Sequence, residues 1–192
     1  MKSRRVWTLP QAAILLAQPQ HRLIYLCEKG VVAPDYADAS GRGSSRRFSS
    51  RNLLEFAVAL QLRTLGLPAA SIAAILYTLR AFEKRVASEI PGFEIVEALR
   101  AQNGIEVRAI VRDGDRLYFL LRQPGQGARL FGGSHLSGAK ATVGSRLASR
   151  VRPVFKGIVR PDSGGFEGPE GSRYVRLDIN IGQIARDLKL EE

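Results

Sequence analysis

Apolar residues recur at three- and four-residue spacing through the first half of the chain, and they alternate with polar ones through much of the second. Leu9, Ala12, Ala13 and Leu15 predict a first helix running to about residue 16. Thr8 is its cap, and Pro10 is tolerated in a first turn whose N–H groups have no intrahelical partner. A turn at Ala17, Gln18 and Pro19 leads to a second helix over 20–29, closed by Gly30, because glycine most easily takes the left-handed conformation of a helix end. Positions 31–34 read as a short extended piece, and 35–45 as a loop containing Gly41-Arg42-Gly43-Ser44-Ser45. Ser50 caps a predicted third helix with an apolar face of Leu53, Leu54, Ala57, Val58, Leu60 and Leu65, stopped by Gly66. A fourth, over 69–88, carries Ile72, Ile75, Leu76, Leu79, Phe82 and Val86 on one stripe, the pattern of a core face or a partner helix.

Ile90-Pro91-Gly92 interrupts this pattern and sets an expected boundary between domains at 1–90 and 91–192. Phe93, Val96 and Leu99 predict one more short helix, ending near Asn103-Gly104. Runs at 105–111 and 117–121 flank Asp113-Gly114, the signal of a hairpin. Further strands are expected at 128–131, 151–159 and 174–179, and a terminal helix over 180–188 from the spacing of Ile181, Ile184 and Leu188. Glycine-rich patches at 125–133 and 163–171 read as loops. The fold class expected is α+β: helices first, then a smaller β-rich α+β domain.

Charge sharpens this picture. The net charge is +11, and residues 1–86 hold 13 Lys and Arg against 5 Asp and Glu, while the rest holds 16 against 13. Excess cation on the helical half fits a polyanion partner, since each Lys or Arg brought to a phosphate releases condensed counterions. With 45% hydrophobic residues the chain can bury a core. No apolar run approaches the roughly 20 residues needed to span a bilayer, so no membrane partner is expected. The single cysteine, Cys27, excludes an internal disulfide and fits a reducing, cytoplasmic compartment.

One order of elements stands out from Trp7 to Leu76: an amphipathic segment, then Arg22-Leu23-Ile24-Tyr25-Leu26-Cys27-Glu28-Lys29-Gly30, an Arg/Ser/Gly loop, Arg46-Arg47-Phe48-Ser49, Asn52-Leu53, Leu62-Arg63-Thr64-Leu65-Gly66 and Ile72 with Ile75-Leu76. In this order and spacing the chain resembles the MerR family of transcriptional regulators over some seventy residues. The resemblance implies a winged helix-turn-helix with the second helix as reader of the major groove. It implies a wing leaving at Arg46-Arg47-Phe48-Ser49 and a DNA-backbone contact by Tyr25. It also implies bending or untwisting of promoter DNA, and a homodimer on an inverted repeat is expected because one such domain buries little protein surface on DNA.

The residues available for this chemistry are Gln20, His21 and Arg22 at the start of the second helix. Arg22 is suited to guanine or phosphate, and Gln20 to adenine. Tyr25 is either a backbone contact or a half-buried core aromatic. Arg42, Arg46 and Arg47 lie on or beside the wing, where a guanidinium reaches phosphates or a narrow minor groove. The family usually has arginine at the position of Ile24, glycine at Ala17 and a serine-like cap at Pro19, so its sequence specificity does not carry over. Pro91-Gly92 also cuts short the long helix through which the family commonly dimerises.

From Arg116 to Pro161 there is no Asp or Glu, while nine Lys and Arg occur. Arg129, Lys140, Arg146, Arg150, Arg152 and Lys156 of this stretch are candidates for a second basic surface that binds phosphates, an acidic protein or an anionic effector. The thiol and imidazoles are limited to Cys27, His21 and His135, too few for a metal sensor, and no metal or other cofactor is expected. No phosphate-binding loop, nucleophile elbow or carboxylate pair suggests an enzyme. The sequence therefore reads as a cytoplasmic, nucleoid-associated regulator of double-stranded DNA. An architectural or recombination-associated DNA binder and a protein-docking module remain as alternatives.

Overall fold

A computed structural model describes residues 5–36, 46–101, 104–112, 116–135, 158–159 and 177–188. Its class is α+β, in the order β1 (Trp7–Thr8), α1 (Leu9–Leu15), α2 (Gln20–Glu28), β2 (Arg47–Phe48), α3 (Ser50–Thr64), α4 (Ala69–Glu89), α5 (Ile95–Arg100), β3 (Glu106–Arg112), β4 (Arg116–Gln123), β5 (Gly127–His135), β6 (Ile158–Val159), β7 (Leu177–Asn180) and α6 (Ile181–Asp187). The wing tip with Arg42, the turn at Asp113-Gly114, and most of the expected strand at 151–159 lie outside the described residues, as do Lys140, Arg146, Arg150, Arg152 and Lys156. No described helix is long and apolar enough to cross a membrane.

The first three helices end in the same way. At each, the residue after the cap donates to a carbonyl three back and its successor to one five back: Gly30 N to Cys27 O and Val31 N to Leu26 O, Gly66 N to Arg63 O and Leu67 N to Leu62 O, Ala17 N to Ile14 O and Gln18 N to Ala13 O. This geometry needs a left-handed residue, and φ is +65° at Gly30, +79° at Gly66 and +49° at Ala17. Ala17 thus does a glycine's work, at a steric cost of about 1–2 kcal/mol arising from its Cβ.

The expected extended piece at 31–34 does not form a strand. Its backbone groups are taken: Val31 N and Val32 N both donate to Leu26 O, while Asn52 of α3 donates to Ala33 O and accepts from Asp35 N. The partner of β2 is instead β1, with Trp7 opposite Phe48 and Thr8 opposite Arg47. The cap of α3 is Ser49 rather than Ser50. Its hydroxyl accepts from Asn52 N at 3.1 Å while the Asn52 side chain accepts from Ser49 N at 3.2 Å, a reciprocal capping box.

Beneath this cap lies a buried polar cluster. Glu55 is 1% exposed and receives Nε and Nη2 of Arg80, from α4, and Nδ2 of Asn52 at 3.1 Å. Arg80 also donates to Ala33 O at 3.2 Å and lies 3.4 Å from Asp35. Burial pushes the Glu55 carboxyl above its ordinary range, against the lowering effect of Arg80 and Asn52. For Arg80 burial works to lower the pKa and is outweighed by Glu55, so the guanidinium stays charged. A second tie runs through Glu83 of α4, which pairs with Arg51 of α3 at 2.8 Å and accepts from Ile95 N at the start of α5 at 2.9 Å.

Five antiparallel strands form one sheet, ordered β6-β5-β4-β3-β7. Register places Ala109, Phe119 and Phe131 side by side, with Ile179 opposite Ala109, so they share the face turned toward the helices. There Phe82 of α4 stacks on Phe119 with centroids 5.0 Å apart and meets the edge of Phe131 at 5.1 Å. Helices α5 and α6 pack against α3 and against each other. One connected apolar core runs from Ala12 to Leu188, and the bend at Ile90, Pro91 and Gly92 ends α4 without interrupting it.

Two outcomes follow for stability. Ala17→Gly raises the urea midpoint, corresponding to about 1 kcal/mol of relieved strain; a lowered midpoint contradicts the left-handed turn. Arg80→Met costs about 3 kcal/mol by stranding a buried carboxylate, and combining it with Glu55→Leu recovers at least half of that loss in the same denaturation experiment.

Candidate nucleic-acid interface

Helix α2 presents two faces because its apolar residues are spaced to do so. Leu23 and Leu26 are fully buried against the core, which turns Gln20, His21 and Arg22 of the first turn to solvent. Ile24 is half-buried and adds no charge. The Arg22 guanidinium is held by Gln18, whose Oε1 accepts from Nη1 at 2.9 Å.

Tyr25 is half-buried and lies between two cations. Lys29 Nζ sits 5.7 Å from the ring centroid, and Cζ of Arg63, from the last turn of α3, sits 5.2 Å away. The ring packs against the core, as the half-buried-aromatic reading expects, and it has positive charge beside it. In sequence Arg63 stands out as a framework residue rather than as a site residue. Its role depends on α3 bringing its C-terminal turn beside α2, which no local pattern reports.

On β2 the alternation of a strand decides direction. Phe48 is fully buried, edge-on to Phe56 at 5.2 Å, so Arg47 points outward and is exposed. Arg46 is half-buried and engaged. Among the described residues, Arg22, Lys29, Arg47 and Arg63 make no ion pair.

Several arginines around the sheet are disposed differently, although Arg116 of β4 makes no ion pair among the described residues. Arg85 pairs with Glu89 at 2.9 Å, Arg108 with Asp178 at 3.0 Å and Arg122 with Glu106 at 3.5 Å. Arg129 pairs with Glu89 at 2.8 Å, bonds Gln123 at 3.2 Å and lies over Phe131. The stretch that lacks acids in sequence therefore meets acids in space, at Arg122 and Arg129 at least. The exposed ones among these pairs add little stability, but all of them neutralise charge that a polyanion would otherwise meet.

Among the described residues no group of three His, Cys, Asp or Glu is placed to hold a metal ion. Cys27 is half-buried on α2. No protein-family model matches this chain, and no curated protein matches it either.

Proposed function

We propose that this protein is a double-stranded-DNA-binding transcriptional regulator, with a MerR-like winged helix-turn-helix as its reading module, acting in the cytoplasm at the nucleoid. The observation that carries this reading is the placing of cations. Among the described residues Arg22 and Lys29 of α2, Arg63 beside it and Arg47 of β2 make no ion pair, whereas Arg85, Arg108, Arg122 and Arg129 pair with carboxylates; Lys84, Arg116 and Arg186 make none either, but they lie on three separate elements. An exposed helix start that offers Gln20, His21 and Arg22 to base edges, flanked by cations for phosphates, has the chemistry of major-groove recognition.

In this reading Arg22 reads a base, while Arg47 of β2 and Arg63 with Tyr25 and Lys29 grip the backbone. Two copies act on an inverted repeat, because one such module covers few base pairs. The second copy meets the first away from the middle of α4, since that helix is packed between α3 and the sheet and exposes only Lys84, Arg85 and Ser88.

Selection from randomised duplex DNA, followed by titration of the winner and a scrambled control at two salt concentrations, tests the proposal. The expected result is an inverted repeat bound far more tightly than the control. Arg22→Ala then lowers affinity mainly at the preferred site. Arg47→Ala and Arg63→Ala weaken all duplexes by a similar factor, and each reduces the salt slope by about one. Equal losses on every sequence from Arg22→Ala and Arg47→Ala would remove the case for α2 as reader. Absence of duplex binding would remove the function.

A further inference from the structure

Arg80 belongs to α4 and not to α2, β2 or the end of α3, and its guanidinium is nearly used up by the protein itself. Of the five N–H groups that such a group carries, Nε and Nη2 each donate one to Glu55. Nη2 gives its second to Ala33 O at 3.2 Å, and Nη1 reaches Asp35 at 3.4 Å. One N–H is left, so Arg80 is poorly equipped to grip a phosphate, which a guanidinium holds best with two parallel bonds.

What Arg80 holds is the base of a loop. Ala33 and Asp35 stand where the chain has left α2, and Ser49 stands where it enters α3. Ser49 donates its hydroxyl to the same carboxylate of Asp35 that faces Arg80, and Asn52 accepts from both Asp35 N and Ser49 N. The two ends of residues 36–48 therefore meet at one cluster, and the sequence between them carries Arg42, Arg46 and Arg47. A chain pinned at both ends has fewer conformations to lose than one pinned at a single end. The pin itself is firm: Phe82, two residues on and so about 200° round α4, stacks on the sheet, and Arg80 reaches the cluster from the other side of that helix.

From this we infer that Arg80 is a positioning residue for DNA binding: it closes the base of the 36–48 stretch, so that the arginines of that stretch meet a duplex with less conformational freedom left to lose. The inference rests on the DNA-binding reading above. It gives Arg80 a part in affinity without a contact to DNA.

The test compares the full-length wild type with the double variant Arg80→Met/Glu55→Leu on the selected duplex and on the scrambled control, each titrated at two salt concentrations. This variant loses one charge of each sign, so the net charge is unchanged, and it strands no buried carboxylate. The expected result is a loss of about tenfold in affinity for both duplexes with an unchanged salt slope, because the phosphate contacts still form, from a looser base. Asp35→Ala leaves Glu55 and Arg80 paired; it should reproduce most of that loss and add little to it in the triple variant. By charge alone, removing a carboxylate tightens binding to a polyanion, so a fall in Asp35→Ala separates positioning from electrostatics. Undiminished affinity in Asp35→Ala, or in a double variant whose circular dichroism matches the wild type's, overturns the inference and spares DNA binding. A salt slope reduced by about one in the double variant makes Arg80 itself a phosphate contact and also overturns it. A wild type that binds no duplex overturns the inference together with the reading on which it rests.

Discussion

The arrangement of this molecule depends on a carboxylate that cannot reach water. Glu55 is buried beneath the cap of α3 and needs donors, and Arg80 supplies two from a helix that follows in the chain. Because Arg80 and Asn52 also serve Ala33 O, and Asn52 the N–H of Asp35, the same cluster fixes where the chain leaves α2. Ser49, capping α3 and donating to Asp35, fixes where it returns after β2. The points where the chain leaves α2 and enters α3 are thus both anchored in one polar cluster. Replacing the pair by apolar side chains costs little in principle. Leaving half of it costs a great deal, and this asymmetry makes the cluster a constraint on geometry more than a source of stability.

A second constraint acts through α4. Phe82, Phe119 and Phe131 clamp this helix to the sheet, while Arg80 and Glu83 tie it to α3 and α5. A helix engaged on these sides connects the N-terminal helices to the sheet through one apolar core. Around the sheet, Glu89, Glu106 and Asp178 pair with Arg129, Arg122 and Arg108, whereas among the described residues Arg22, Arg47 and Arg63 make no ion pair.

Elements formed from local pattern were legible in the sequence. Helices α1 to α6 and the β3–β4 pairing follow from apolar spacing and from turn residues, and each lies within a few residues of where the pattern puts it. What escaped was set by partners distant in the chain. Val31 and Val32 have the composition of a strand, but their amides close α2, and the strand that β2 needs comes from Trp7 and Thr8. The acid-free run from Arg116 looks like a bare cationic surface until tertiary contacts bring Glu106 and Glu89 to Arg122 and Arg129. Of the candidate site, Gln20, His21, Arg22 and Arg47 were readable because helix and strand periodicity turns them outward. Arg63 and Gln18 were not, since one depends on the approach of α3 to α2 and the other on a side-chain bond across a turn. Ala17 is instructive in the opposite sense: the resemblance marks a glycine position there, and its positive φ explains why glycine suits it.

The measurement that bears most directly on the central claim is a map of backbone amide chemical shifts of the isotope-labelled full-length protein as a duplex of the selected sequence is added. The account predicts that the largest changes fall on residues 18–29, Arg47 and Arg63, with β3, β4 and β5 nearly unmoved. Changes centred on the sheet with α2 silent, or no change at a saturating duplex concentration, would contradict it.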